Sequence, residues 1–277
     1  MEHFRLLNLD KIKWEQWHPQ FKGTFAKTIY NDKDTGANLR QAFLPAGFSL
    51  NEKKRHHHGE TREGVYTLFG NVRYQEFENP EIVNGNCNNF EKDFLLDRPP
   101  FSIHGPKIGD ITELGCLILE WGSGPLHFNY IPFDGNLEKY KNNYNPPLVV
   151  NSKKVNWDNH PTTKGLKIKF LSKGDKNKLK GFHPICKIFI PPNWKGIKLK
   201  NIFPGKNYRK WFYVLHGDLP IKIIDEKNNI IFNHHLIENE YFEWFSPVNL
   251  LLCEEETSNI GCELLCVGHD FSQNKNE

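Results

Sequence analysis

Short apolar runs, each broken by Gly or Pro, constrain this chain more than any other feature of it. Examples are Val65-Tyr-Thr-Leu-Phe69, Leu114-Gly-Cys-Leu-Ile-Leu119, Lys187-Ile-Phe-Ile190, Trp211-Phe-Tyr-Val-Leu215, Ile221-Lys-Ile-Ile224 and Glu263-Leu-Leu-Cys-Val267. Runs of this length, rich in β-branched and aromatic residues and ending in turn chemistry, read as strands. Helical periodicity is weak almost everywhere, and Leu7 to Trp17 is the one segment where a helix is expected. The chain is therefore all-β, with short strands at regular spacing, which predicts a sandwich or barrel. Its 277 residues exceed one average domain, so one large or two ordinary domains are expected.

The two halves share landmarks. Leu68-Phe69-Gly70 is followed by Pro99 and by Gly115-Cys116-Leu117-Ile118-Leu119, and Leu215-His216-Gly217 by Pro247 and by Gly261-Cys262-Glu263-Leu264-Leu265. Pro99 lies 29 residues beyond Gly70 and Pro247 lies 30 beyond Gly217, while Gly115 and Gly261 follow at 45 and 44. Matching offsets over three landmarks point to a duplicated β domain. The Lys-, Asn-, Pro- and Gly-rich stretch from Glu138 to Lys180 reads as the connection. The expected division is 1–140, with an N-terminal extension, a linker at 141–180, and a second domain at 181–277.

Composition sets outer limits. A formal charge of +3, spread over the chain, implies no particular partner. The Lys-rich stretch from Lys153 to Lys210 has few interleaved Arg residues and reads as a solvated face, not a nucleic-acid site. No apolar segment is long enough to span a bilayer, and the N-terminus lacks the apolar run and cleavage site of a signal peptide. Neither a membrane nor a nucleic-acid partner is therefore expected. The six cysteines (Cys87, Cys116, Cys186, Cys253, Cys262, Cys266) form no Cys-x-x-Cys pair and no disulfide framework. Most of them read as small core residues in apolar strands, and a reducing cytoplasm is expected.

The chemistry concentrates in His56-His57-His58-Gly59-Glu60-Thr61-Arg62-Glu63. Alternate residues of a strand share a face, so His56 and His58 can point together while His57 faces outward. Two imidazoles at that spacing can take neighbouring positions on a metal. After a turn, Glu63 begins the next strand and can add a carboxylate. A fourth donor must come from elsewhere, and His104 offers itself after the rigid Arg98-Pro99-Pro100 turn. Three adjacent histidines alone could be a polar surface turn; their spacing to Glu63, Gly70, Pro99 and His104 favours metal binding.

These residues resemble the cupin superfamily. Its first motif, His-x-His, four residues, Glu, six residues, Gly, is met by His56, His58, Glu63 and Gly70. Pro99 and His104 fit the second, Pro-x-Gly-x-x-His, although Phe101 stands where the family usually has Gly and the Asn often found after the His is missing. The Gly that often precedes His-x-His is displaced to Gly47. The surrounding pattern looks like the bicupins that resemble the metal-binding domain of ChrR-type anti-sigma factors. The resemblance implies two jelly-roll barrels, the first holding one divalent transition metal through His56, His58, Glu63 and His104. Counting from Gly217 and Pro247, the second half carries Lys210 at the Glu position and Leu252 at the His position. Its barrel is expected to hold no metal and to serve stability, pocket closure or dimerisation.

Three imidazoles and a carboxylate suit Fe(II), Mn(II), Ni(II), Co(II) or Zn(II), with Fe(II) favoured here. Val65, Thr67, Phe101 and Ile118 are expected to line the barrel, and Arg40 and Tyr74 to orient an anionic small-molecule substrate. The favoured function is an Fe(II)-type dioxygenase resembling the diketone- or quercetin-cleaving cupins. A non-redox lyase or isomerase is the alternative within the enzymes. A zinc-binding sensor is the alternative outside them, though no Cys precedes Cys87 to build a zinc-binding anti-sigma segment. A structural storage bicupin, which needs no metal, fits less well. Exposed edge strands make a homodimer a further expectation.

Overall fold

Each of two long strands, Glu63–Glu76 and Trp211–Ile224, bends at a positive-φ glycine and so contributes to both walls of a barrel. A computed structural model describes residues 4–19, 21–50, 55–79, 81, 85–106, 109–131, 144–160, 163–172, 184–196, 198–199, 211–244, 249–253 and 258–268. Lys210 and Pro247 lie outside these residues, as does much of the Lys153–Lys210 stretch. The described residues are all-β: two short 3-10 turns occur and no α-helix. No helix among them is long and apolar enough to cross a membrane.

The strands form two large antiparallel systems, one per unit, beside a two-stranded sheet of Ser49–Leu50 with Gly109–Asp110. In the N-terminal unit, residues 12–154, Glu63–Glu76 pairs with Cys116–Gly122, which pairs in turn with Asn38–Leu44. Phe94–Arg98, Asn86–Glu91 and His104–Pro106 complete its surroundings. The interior between them is apolar at Ala42, Leu44, Val72, Phe90, Leu96, Ile111 and Cys116. In the other unit, Trp211–Ile224 pairs with Cys262–Val267, Glu240–Trp244, Ile230–Ile237 and Asn249–Leu252. A larger apolar core fills that interior, including Ile188, Phe212, Leu219, Ile221, Phe242 and Leu264.

Gly70 explains the bend. Its φ is +70°, and a Cβ there would sit 1.8 Å from the Gly115 carbonyl oxygen. Only glycine allows both the left-handed backbone and that approach. Gly217 repeats the device at φ +88°, with Gly261 oxygen 2.0 Å from the Cβ it lacks.

Three expectations change. The Leu7–Trp17 segment is not a helix: Phe4–Asn8 is a strand paired residue for residue with Glu240–Trp244, followed by a 3-10 turn and the short strand Glu15–Gln16. This pairing with a distant strand outweighs the weak local periodicity. The expected linker at 141–180 carries strands instead. Leu148–Asn151 pairs with Phe94–Arg98 in the N-terminal unit, whereas Asp158–Asn159 and Lys167–Ser172 join the other sheet. The division thus falls between 154 and 155, and residues 4–11 belong with the C-terminal unit.

Candidate metal centre

Register places the donors. His56 lies opposite His104, and His104 also lies opposite Glu76 on the long strand. Glu63 lies opposite Arg98. The ligand atoms of His56, His58 and His104 all fall within 4.8 Å of one another, and all three residues are buried. Glu63 Oε2 is 3.3 Å from His104 Nε2 and 3.6 Å from His58 Nε2. The structure therefore brings all four sequence-predicted residues together.

The hydrogen bonds fix which ring nitrogens face inward. His58 Nδ1 is 2.9 Å from the His127 carbonyl, and His104 Nδ1 is 3.3 Å from the Ser102 carbonyl. A carbonyl only accepts, so each Nδ1 carries a hydrogen, and each ring in its neutral form presents an Nε2 lone pair. Those two Nε2 atoms face each other at 3.3 Å. Two lone pairs this close repel unless a cation or a proton lies between them. Soft-to-borderline nitrogen donors, preset in tautomer and beside a carboxylate, fit a divalent transition ion.

Charge around the site is organised by Arg98. Its Nη1 donates to Glu63 at 2.7 Å, and its Nε and Nη2 engage both oxygens of Glu76. Burial pushes the Glu63 carboxyl up, but Arg98, with His58 and His104, outweighs it and holds Glu63 well below the usual carboxylate range. Burial and the adjacent Arg98 charge keep His104 well below the ordinary histidine value. His58 is pulled down by burial yet ends raised, because Glu63 favours its charged form. Burial raises Glu76 and Glu120, and it keeps the Tyr74 hydroxyl protonated.

Two adjoining cavities open on this centre. A polar one of about 110 Å³ is lined by Arg40, His56, His58, Glu63, Tyr74 and Glu120, with Phe128 among its aromatic walls. A second, of about 70 Å³, is lined mainly by apolar side chains such as Leu44, Phe48, Val65, Val72, Leu96 and Ile118. Trp17, Phe21, Glu63, Tyr74 and Glu120 border both.

Arg40 and Tyr74 line the polar cavity, where Arg40 Nε is held 2.8 Å from Glu120 and its Nη2 donates to Asn38. Val65 and Ile118 line the apolar cavity. Thr67 does not border either one; it is buried opposite Ile118, with its hydroxyl unpartnered. Phe101 does not line the barrel either. Its φ is +63°, its N–H donates to Gly59 O at 2.8 Å, and its ring packs 5.6 Å from His57. The left-handed backbone at Phe101 accounts for the glycine that cupins usually have there. His57 is buried, not outward-facing: it packs on Phe101 and its Nδ1 accepts the Gly59 N–H at 2.9 Å.

Sequence reasoning missed Arg98, Glu76 and Glu120. Glu120 shares the alternating face of Cys116 and Ile118, a signal that strand parity could have given. The roles of Arg98 and Glu76 depend on cross-strand register.

Two antiparallel barrels in one chain, with donors converging inside the first, give this protein the two-domain cupin fold. No protein-family model matches the sequence, and no curated protein matches it significantly. Among solved structures it is similar to a protein described as glyoxylate-induced from Pseudomonas aeruginosa, at 10% identity and a TM-score of 0.64, over 100% of this chain and 92% of that one. It is likewise similar to protein Ylba of E. coli, at 12% identity and a TM-score of 0.59, over 97% and 93% of the two chains. Bacillus subtilis oxalate decarboxylase, studied for its Mn(II) centres, aligns at 12% identity with a TM-score of 0.60, over 96% of this chain and 77% of that one.

Proposed function

We propose that this chain is a metal-dependent enzyme acting on a small organic molecule in its N-terminal barrel, with Fe(II)-dependent dioxygenation the favoured reaction. His56, His58 and His104 would hold the metal, with Glu63, oriented by Arg98, adding the carboxylate. The observation that carries this reading is the 3.3 Å approach of the His58 and His104 Nε2 atoms beside Glu63, opening on a cavity. When bound, such an ion supplies Lewis-acid polarisation of a substrate oxygen and, as Fe(II), access to dioxygen chemistry.

The chain's own residues do the rest. Trp17, Phe21 and Phe128 wall the cavity with rings and exclude water, which strengthens every charge interaction inside it. Tyr74 keeps its proton and offers a hydroxyl donor to a bound substrate oxygen. The Arg40–Glu120 pair adds a polar wall to the same cavity as the imidazoles.

A non-redox lyase or isomerase is the second reading. It is favoured by the same donor set, which also accepts Mn(II), though less tightly than Fe(II), and by the fold shared with an oxalate decarboxylase studied for Mn(II) centres.

The test is metal content of untagged protein by mass spectrometry, paired with oxygen uptake after anaerobic Fe(II) loading over diketones, catechols and flavonols. One exchangeable iron with substrate-dependent uptake is expected. Stoichiometric manganese with turnover but no oxygen uptake supports the lyase, and tightly held zinc without turnover supports a sensor.

A further inference from the structure

The two cavities at the centre differ in chemistry, and a substrate that fills both must differ at its two ends. We infer that the substrate is an amphiphilic monoanion: an anionic oxygen head for the polar cavity and an unbranched or small-ring apolar tail of a few carbons for the other. The inference rests on the metal-enzyme reading above and deepens it.

The tail follows from the lining. Leu44, Phe48, Val65, Val72, Leu96 and Ile118 offer no hydrogen-bonding side chain; Glu63, Tyr74 and Glu120 border this cavity on the wall it shares with its neighbour, and Arg98, which borders only this cavity, is already engaged by Glu63 and Glu76. Water in such a space finds few partners, so an apolar group displaces it favourably. A second charged group would be desolvated there without compensation.

The head follows from the charged side chains that line the two cavities and their partners; Arg55, also buried, lines neither cavity. Arg40 and Glu120 cancel as a pair. Arg98 stands against both Glu63 and Glu76, which with both carboxylates ionised leaves one net negative charge. A divalent cation on neutral imidazoles makes the total +1. A monoanion neutralises it, whereas a dianion reverses its sign in a site that gives the second charge no partner.

The test is calorimetric titration of the untagged protein, loaded with Zn(II), using straight-chain monocarboxylates from acetate to octanoate. Affinity is expected to rise roughly fourfold per methylene until the apolar cavity is full. The dicarboxylate of the same length as the best monocarboxylate should bind at least tenfold more weakly. Val72→Phe, with Ile118→Phe as a second variant should the first not fold, should abolish the length dependence. Acetate binding and metal content should stay unchanged. Affinity that is flat or falls with chain length, or a dicarboxylate that binds as tightly, overturns the inference. Metal content on the same samples separates the two readings. One zinc per chain with a flat series sinks the amphiphile alone. No zinc sinks the metal-enzyme reading, and the series on that protein still decides whether the apolar cavity takes a tail.

Discussion

In the N-terminal barrel Cys116 lies opposite Gly70, and the Asn71 N–H donates to Gly115 O; in the C-terminal barrel Cys262 lies opposite Gly217, and the Asp218 N–H donates to Gly261 O. Each long strand carries a register shift within three residues before its glycine. From these anchors the two barrels align pair by pair, and their interiors diverge. Where the first has Glu120 opposite Arg40, the second has Cys266 opposite Cys186. Where the first has His104 opposite Glu76, the second has Leu250 opposite Ile223. Arg98 corresponds to Trp244, Tyr74 to Ile221, and His56, opposite His104, to Leu199, opposite Leu250. Counting from Pro247 pointed to Leu252 as the counterpart of His104; register assigns Leu250. The frame is set by glycine bends and strand pairing, so the interior is free to be either a charged site or an apolar core.

The comparison breaks most visibly at the ligands. His58→Ala or His104→Ala should take metal content from about one per chain to near zero while amide exchange in the C-terminal strands is unchanged. His57→Ala should leave metal in place, and loss there would mean that the register is wrong by one residue. Metal retained by both ligand variants would refute the assignment.

The next effect concerns Arg98. Arg98→Met leaves Glu63 and Glu76 buried without their cation, which should destabilise the N-terminal unit by about 3–5 kcal/mol in denaturant unfolding. Adding Glu76→Ile, the residue found at the equivalent position of the other barrel, should recover part of that loss. A double variant no more stable than the single one would show that Arg98 does not act through Glu76.

The glycines test the similarity itself. Gly70→Ala and Gly217→Ala should each cost roughly 2–4 kcal/mol, from the left-handed backbone and the carbonyl contact together. Each loss should be confined to its own unit by hydrogen exchange. Markedly unequal losses would mean that the two bends are not equivalent.

The smallest effect is a pH dependence in the C-terminal unit. Burial pushes His160 down to about 4. Its unfolded form takes up a proton near 6.5, so the folded form has full stability above that value and loses it as pH falls towards 4. His160→Gln should flatten this acid limb for the C-terminal strands alone; an unchanged limb would assign the acid sensitivity to other groups.

Much of this was legible in the sequence. Short apolar runs gave the strands, and the Gly70–Gly115 and Gly217–Gly261 offsets proved to be cross-strand contacts. Strand parity separated His56 and His58 from His57. Parity could not say that His57 would be covered, because Phe101 reaches it from a turn and Asn129 from another strand. Nor could local pattern show that Phe4–Asn8 pairs with residues more than two hundred positions away, or that Arg98 would stand between Glu63 and Glu76. Those facts live in register, which a single sequence does not display.

The central claim is that one barrel holds a transition metal and its duplicate does not. Crystals grown with Co(II) and measured at the cobalt absorption edge test it directly. The expected anomalous map has one strong peak per chain, bounded by His56, His58, His104 and Glu63. No peak there, or a second of equal height among Leu199, Ile223 and Leu250, would contradict it.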